Sequence, residues 1–173
     1  MNGAMKISAK NIALCGVLSA LALGLSVLES FFPLSLLIPL PGVKLGLANI
    51  VTLFALYTLG ARPALAIWLT RCVLGSLFAG NASAFLFSLL GGLASMGVMI
   101  ALRRWDRFSV FGVSLGGAAA HNIGQIAAAA VVLNSTAVIG YLPVLLFISL
   151  VTGALTGLLV SLLLRAAAHL SLR

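Results

Sequence analysis

The chain is a succession of long apolar stretches with almost no acid between them. Hydrophobic residues fill 62 % of its 173 positions and charged residues 7 %, with a mean hydropathy of +1.26. An average soluble domain carries roughly 25 % charged residues. A chain so poor in polar side chains cannot clothe a soluble core, so it reads as a polytopic membrane protein. A spanning helix needs about 20 apolar residues. Six segments approach that length, at about 8–28, 45–61, 63–80, 82–102, 109–133 and 141–165. The expected fold is therefore all-α and integral to the membrane: a six-transmembrane-helix bundle, one transmembrane domain over residues 1–173. Turn-forming residues mark the breaks: Pro33, Pro39 and Pro41-Gly42, then Gly60-Ala61-Arg62-Pro63, Gly80-Asn81, the Arg103–Arg107 cluster and Asn134-Ser135-Thr136. Segment two is short and runs almost into segment three, which leaves four or five spans as the alternative count. The first segment reads as a retained helix rather than a cleaved signal. Its apolar run exceeds a signal core, and no clear small-x-small cleavage site precedes Glu29.

Charge placement orients the bundle. With the N-terminus in the cytoplasm, the inner side carries Lys6, Lys10, Arg62, Arg103, Arg104, Arg107, Arg165 and Arg173. The outer loops carry Lys44, and Arg71 lies within the third helix. That bias is the positive-inside pattern, and it predicts both termini inside. The net charge of +8 is then a property of cytoplasmic loops rather than of a nucleic-acid surface.

Residues 29–44 are too apolar for a solvated loop and too broken by proline for a helix. Backbone of this kind at membrane depth is tolerated where protein buries it or where it lines a cavity. The segment reads either as an interfacial connector or as a re-entrant, lid-like first outer loop.

Polar side chains inside spans are expensive and tend to face a bundle interior. Here they are Asn49, Arg71, His121, Asn122 and Gln125, with Glu29, Lys44 and Asn81 near the outer edge. At about 1.5 Å of rise per residue, all fall in the middle or outer half of the bundle, and Asn11 alone sits at the inner end. The pattern predicts a pocket open to the outside. His121 and Gln125 share a helix face, with Asn122 about 100° away. Arg71 shares a face with Trp68, Gly75 and Phe78. An arginine beside aromatics suits an anionic group on a flat or apolar body, because the guanidinium matches phosphate and carboxylate geometry. Arg71, His121, Asn122, Gln125, Asn49, Trp68, Lys44, Glu29 and Asn81 are thus the candidate substrate-binding residues. The structural alternatives are a snorkelling arginine, polar groups that glue helices together, and a Glu29–Lys44 pair that pins the first loop.

Helix one carries a stripe of small residues. Ala9, Ala13, Gly16, Ala20 and Gly24 fall within an arc of about 80°. Such a stripe lets another helix approach closely, either a neighbour within the chain or a partner subunit. Ala9, Ala13 and Gly16 are the candidate partner-binding residues.

The whole chain has two acids, Glu29 and Asp106. That excludes sites built from carboxylate clusters, including Mg²⁺ sites with Asp-rich motifs. Cys15 and Cys72 both lie in apolar runs, which leaves no basis for a disulfide framework or a zinc site. The chain has no G-x-x-x-x-G-K-[ST] motif and no evident Ser-His-Asp or Cys-His arrangement. No catalytic residue, cofactor or metal is expected.

The string from Pro41 to Leu53, P-G-V-K-L-G-L-A-N-I-V-T-L, resembles the signature of bacterial membrane proteins labelled heptaprenyl diphosphate synthase component I, also called Gx transporters. The A-H-N-I-G-Q run of residues 120–125 is compatible with it. That family is similar to the substrate-binding S components of energy-coupling factor transporters. The likeness lies in size, six helices, inside termini, a long first loop and an A-x-x-x-A motif, which Ala9 and Ala13 match. The resemblance implies a bacterial inner-membrane protein that captures a small molecule. Its partners would be a transmembrane coupling subunit and ATPase subunits. The synthase label implies instead a non-catalytic accessory of isoprenoid diphosphate synthesis, since the Mg²⁺-diphosphate ligands of such an enzyme are missing here.

Overall fold

The computed structural model describes residues 9–31, 46–79, 82–105 and 107–171. The regular structure among them is entirely helical. It comprises α1 (Ala9–Ser30), α2 (Asn49–Thr58), α3 (Ala61–Ala79), α4 (Ala82–Arg104), α5 (Val110–Val132) and α6 (Leu142–Ser171), with a 3₁₀ turn at Thr136–Tyr141. Six helices match the six apolar segments. Four stretches among the described residues are long and apolar enough to cross a membrane: Ala9–Glu29, Phe85–Arg104, Val110–Val132 and Thr136–His169. The protein is a helical membrane protein on that ground. α3 is long enough but carries Arg62 and Arg71. α2 has only 10 residues, about 15 Å of helix, half a hydrocarbon core. The lid expected over 29–44 falls, from residue 32 onward, outside the described residues, as do Lys44 and Asn81.

Local chemistry sets the helix ends. The Ser109 side chain accepts a hydrogen bond from the Gly112 N–H at 3.3 Å and caps α5. Ser135 accepts from the Ala137 N–H at 3.3 Å and starts the 3₁₀ turn. Pro63 falls in the first turn of α3, where its missing N–H costs no intrahelical bond. α2 starts later than the apolar pattern suggests. Gly46 has φ +85°, a left-handed conformation that turns the chain just before the helix.

α5 packs along α4 on one side and α6 on the other, and these are the broadest interfaces. α1 lies on α3, and α3 also meets α4. The short α2 closes the arrangement against α1, α3 and α6. The tight α4–α5 contact follows from small residues. A Cβ added at Gly124 would stand 2.5 Å from the Leu90 carbonyl oxygen and 2.8 Å from the Gly91 Cα. Only glycine lets the two backbones meet there.

At the opposite end of the bundle, Arg103 of α4 donates from Nη1 to the Leu56 carbonyl and from Nη2 to the Tyr57 carbonyl at 3.5 Å. Its guanidinium also lies 4.9 Å from the Tyr57 ring centroid. These carbonyls are orphans of the last turn of α2. The arginine therefore closes that helix and ties it to α4.

Gly124→Leu should destabilise the fold by about 1–3 kcal/mol or more, the range for overpacking a filled interior. Gly97→Leu is the control, because nothing stands within 4 Å of a Cβ at that exposed position. Thermal unfolding in detergent should show a lower midpoint for the first and an unchanged one for the second.

Candidate functional site

The last two turns of α1, the middle of α3, the first half of α4 and the second half of α5 converge at the end of the bundle away from Arg103 and Arg104. They enclose a narrow cleft. Ser26 and Glu29 come from α1, Gly46 from the turn before α2, and Arg71, Cys72, Gly75 and Ser76 from α3. Ser88 of α4 and His121 and Gln125 of α5 complete the wall. Four of the nominated side chains, Glu29, Arg71, His121 and Gln125, therefore meet in one place, although they lie far apart in sequence. All four are at least nine-tenths buried.

Each is placed by packing. Gly91 of α4 makes room for the α5 pair: a Cβ there would stand 3.0 Å from the Gln125 Cγ and 3.1 Å from the His121 Cε1. The His121 ring lies between that glycine and Gly46, whose Cβ would stand 3.6 Å from the His121 Cδ2. Glu29 accepts a hydrogen bond from the Gly46 N–H, which joins the end of α1 to the start of α2. Arg71 donates from Nη1 to the Ser26 Oγ at 3.4 Å. The Arg71 Nε and the Gln125 Oε1 are buried without a hydrogen-bond partner. An unsatisfied buried polar atom costs about 1–3 kcal/mol, so the cleft holds hydrogen-bonding capacity that this chain does not use.

The free space is small, about 20 Å³. That holds a water molecule. Drug-sized ligands occupy pockets of roughly 300–1,000 Å³, so a substrate enters this cleft only if its walls part.

The remaining nominated residues sit elsewhere. Asn49 lines a second cavity of about 10 Å³ with Ser95, Ser114, Thr152 and Thr156. It adjoins the cleft through Gly46, whose Cβ would stand 3.0 Å from the Asn49 Nδ2. Asn122 turns to α6, where its Nδ2 donates to the Leu145 carbonyl at 2.7 Å. Trp68 does not flank Arg71 in the cleft. Its indole fills the gap over Gly92 of α4, within the apolar core. Phe78, two turns along α3 from Arg71, is 75 % exposed. The arginine is thus accompanied by serine hydroxyls rather than by aromatic rings. Sequence reasoning passed over Ser26, Ser76 and Ser88. One signal was present: Ser88, Gly91 and Ser95 recur at helical spacing on one face of α4.

The small stripe of α1 faces outward. Ala9, Ala13, Gly16, Ala20 and Gly24 are all exposed, and nothing stands within 4 Å of a Cβ at Gly16 or Gly24. Ile12, Gly16 and Ala20 of α1 border an open groove of about 460 Å³ whose other bank is Ala66, Thr70 and Leu74 of α3. The stripe is not used to pack a helix of this chain among the described residues.

Fold and cleft together define a helical integral membrane protein with a buried polar cleft in one half of its bundle. The chain belongs to the heptaprenyl diphosphate synthase component I family, which matches residues 18–163. That is the family the P-G-V-K-L-G-L-A-N string resembles. No curated protein and no solved structure matches the chain.

Asn122→Ala should cost about 0.5–2 kcal/mol of stability, the range for one interhelical hydrogen bond in a membrane protein. Because Asn122 points away from the cleft, ligand affinity should stay unchanged. Thermal unfolding and binding calorimetry on the same variant separate the two effects.

Proposed function

We propose that the protein is a substrate-capture subunit, similar to the S components of energy-coupling factor transporters. It takes up a small amphipathic molecule with an anionic group from the outer side of the bacterial inner membrane. The observation that carries this reading is the buried cleft that gathers Arg71, Gln125, His121 and Glu29 at the bundle end opposite the arginine-rich loops. Positive charge marks the cytoplasmic side, so the cleft belongs to the outer half and the termini to the cytoplasm. Arg71 provides the anion contact. The first outer loop, residues 29–44, is the segment suited to cover the bound molecule.

Such a protein needs an energised partner, because the chain has no phosphate-binding loop of its own. The exposed α1 stripe with its groove along α3 is the surface for a transmembrane coupling subunit, itself driven by ATPases. Close helix approach over Ala9, Ala13 and Gly16 supplies the contact.

The family description favours a second reading, a membrane accessory of heptaprenyl diphosphate synthesis. The chain is non-catalytic in that reading too. With two acids in 173 residues it cannot assemble Mg²⁺-diphosphate ligands. Chain elongation by a separate synthase, assayed with and without this protein, decides between the two. A large stimulation favours the accessory role, and none favours capture.

Arg71→Ala should weaken substrate binding by about 10- to 150-fold while the protein still inserts, from the 1.5–3 kcal/mol of a charge-assisted hydrogen bond. Arg71→Lys should restore only part of it if the anion is held bidentately. Calorimetry with ligand co-purified from native membranes gives the measurement. Normal binding with earlier unfolding would make Arg71 structural. Ala13→Leu or Gly16→Leu should abolish co-purification of the coupling subunit and leave ligand binding intact. Undisturbed assembly would remove the stripe from the interface.

A further inference from the structure

The turn between α4 and α5 is fixed in depth by its neighbours. One apolar span, Phe85–Arg104, ends where the turn starts, and the next, Val110–Val132, begins just after it. A connection this short stays at the membrane surface, because both of its ends are pinned where a span stops. At that boundary Ala101, Leu102, Arg104 and Trp105 line an open cavity of about 230 Å³. It is separate from the cleft, which lies at the other end of the bundle. Leu102 is held by α5, where a Cβ on Gly116 would stand 2.5 Å from the Leu102 Cδ1. Trp105 stacks on Phe108, with ring centroids 6.1 Å apart and planes at 26°. Ala101 and Arg104 are exposed, and so is Trp105, at 66 %. The lining therefore combines alkyl groups, one indole and one guanidinium.

Exposure at this depth is exposure to lipid head groups and the first methylenes of their chains. Tryptophan favours that zone, since its ring is apolar and its N–H is polar. A guanidinium there meets phosphate, which it can hold with two parallel hydrogen bonds. Glu29, the one acid among the described residues, lies at the opposite end of the bundle. No described carboxylate therefore stands in the phosphate's place. Asp106 follows Trp105 in sequence, outside the described residues, and residues 103–107 stay net positive with it counted. Arg107 is exposed on the same turn. Arg103 has a different task, since it reaches the last carbonyls of α2.

We propose that this cavity seats an anionic phospholipid, its phosphate on Arg104 and its glycerol and upper acyl chain against Trp105, Leu102 and Ala101. The alkyl and indole part of the lining calls for an occupant with a hydrocarbon chain, which a soluble anion lacks. A single lining guanidinium matches the one phosphate charge of a phospholipid better than the several charges of an isoprenoid diphosphate. The arginine-rich side is the cytoplasmic one, so the lipid belongs to the inner leaflet. The site depends on neither reading of the cleft.

The test uses the full chain in vesicles of phosphatidylcholine and phosphatidylglycerol, with one or the other lipid carrying dibrominated chains. Bromine quenches only nearby indoles, so lost fluorescence reports which lipid touches Trp105. A Trp105→Phe variant gives the signal of Trp68, which is buried in the core, for subtraction. Phosphatidylglycerol should be preferred beside Trp105 by about fivefold, the factor for one basic group at a charged membrane surface. Arg104→Gln should abolish that preference. Arg165→Gln, which removes an exposed arginine outside the cavity, should leave it unchanged. No preference in the unaltered protein overturns the site. An equal loss in both variants also overturns it, because general surface charge would then be the cause. Recovery of fluorescence by geranyl diphosphate, at a small fraction of the lipid concentration, assigns the cavity to a diphosphate and overturns the phospholipid.

Discussion

The close approach of α4 and α5 is the constraint on which the rest depends. Gly124 meets the backbone at Leu90 and Gly91, and no side chain larger than hydrogen fits between them. Lipid tails give helices no hydrophobic reason to associate, so contact area and close packing supply the attraction instead. This one contact has two consequences. It holds His121 and Gln125 of α5 against the glycine face of α4, which fixes one wall of the cleft. It also leaves Gly92 open on the adjoining face, and the Trp68 indole of α3 fills that gap. α3 is thereby docked on α4 with Arg71, three residues beyond Trp68, turned toward the same cleft. The site is thus assembled by glycines that take no part in its chemistry.

The second constraint is the cost of Arg71. A guanidinium at mid-span costs about 2.5–3.5 kcal/mol on insertion scales. The Ser26 hydroxyl at 3.4 Å is a long contact for a charge, and the buried Nε has no partner. A comparison with Arg103 is instructive. That residue also lies in an apolar helix, yet it reaches two carbonyls and an aromatic face at the end of α2. Arg103 is held by structure, with two of its five N–H donors on the last carbonyls of α2. Arg71 is under-satisfied, and it lines the cleft. The contrast between two arginines in one chain is a stronger argument for a site than the presence of either alone.

The sequence made the helices legible because each apolar run must span or nearly span a bilayer, and because prolines, glycines and arginines fall between them. It misjudged α2, taken as 45–61 and observed as Asn49–Thr58, because an apolar run records partitioning and not backbone conformation. The left-handed turn at Gly46 takes the first residues of that run out of the helix. Of the nominated polar residues, His121 and Gln125 were legible as a pair because four residues make one turn. Their meeting with Arg71 and Glu29 was legible only as shared depth. Which helix faces which is set by side-chain fit, and that is why Trp68 carried no warning and why Asn122 stayed open between ligand contact and helix glue. The first went to a glycine gap and the second to a carbonyl of α6. The outward orientation of the α1 stripe was open for the same reason, since a row of small residues has the same periodicity whether the neighbour is internal or a second protein.

The two readings the family admits place different physical demands on the same bundle. A partner in isoprenoid diphosphate synthesis handles a polyanion that is made and used at the cytoplasmic face. The natural contacts there would be the exposed Arg104 and Arg107, which are solvated, adaptable and cheap to neutralise. A capture protein needs the reverse: few donors, deeply placed, whose unmet hydrogen bonds become binding energy when water leaves. The buried cleft has that second character. Its polar atoms are sparse, of both signs, and shut away in a volume that admits little more than water. In the proposed capture role, a site with so little free space would have to open and close around its ligand. In that role the energy for closure would come from hydrogen bonds that Arg71 and Gln125 lack here. In the capture role, a ligand that stabilises a closed bundle would also favour whichever shape of the exposed groove along α1 and α3 a coupling partner recognises.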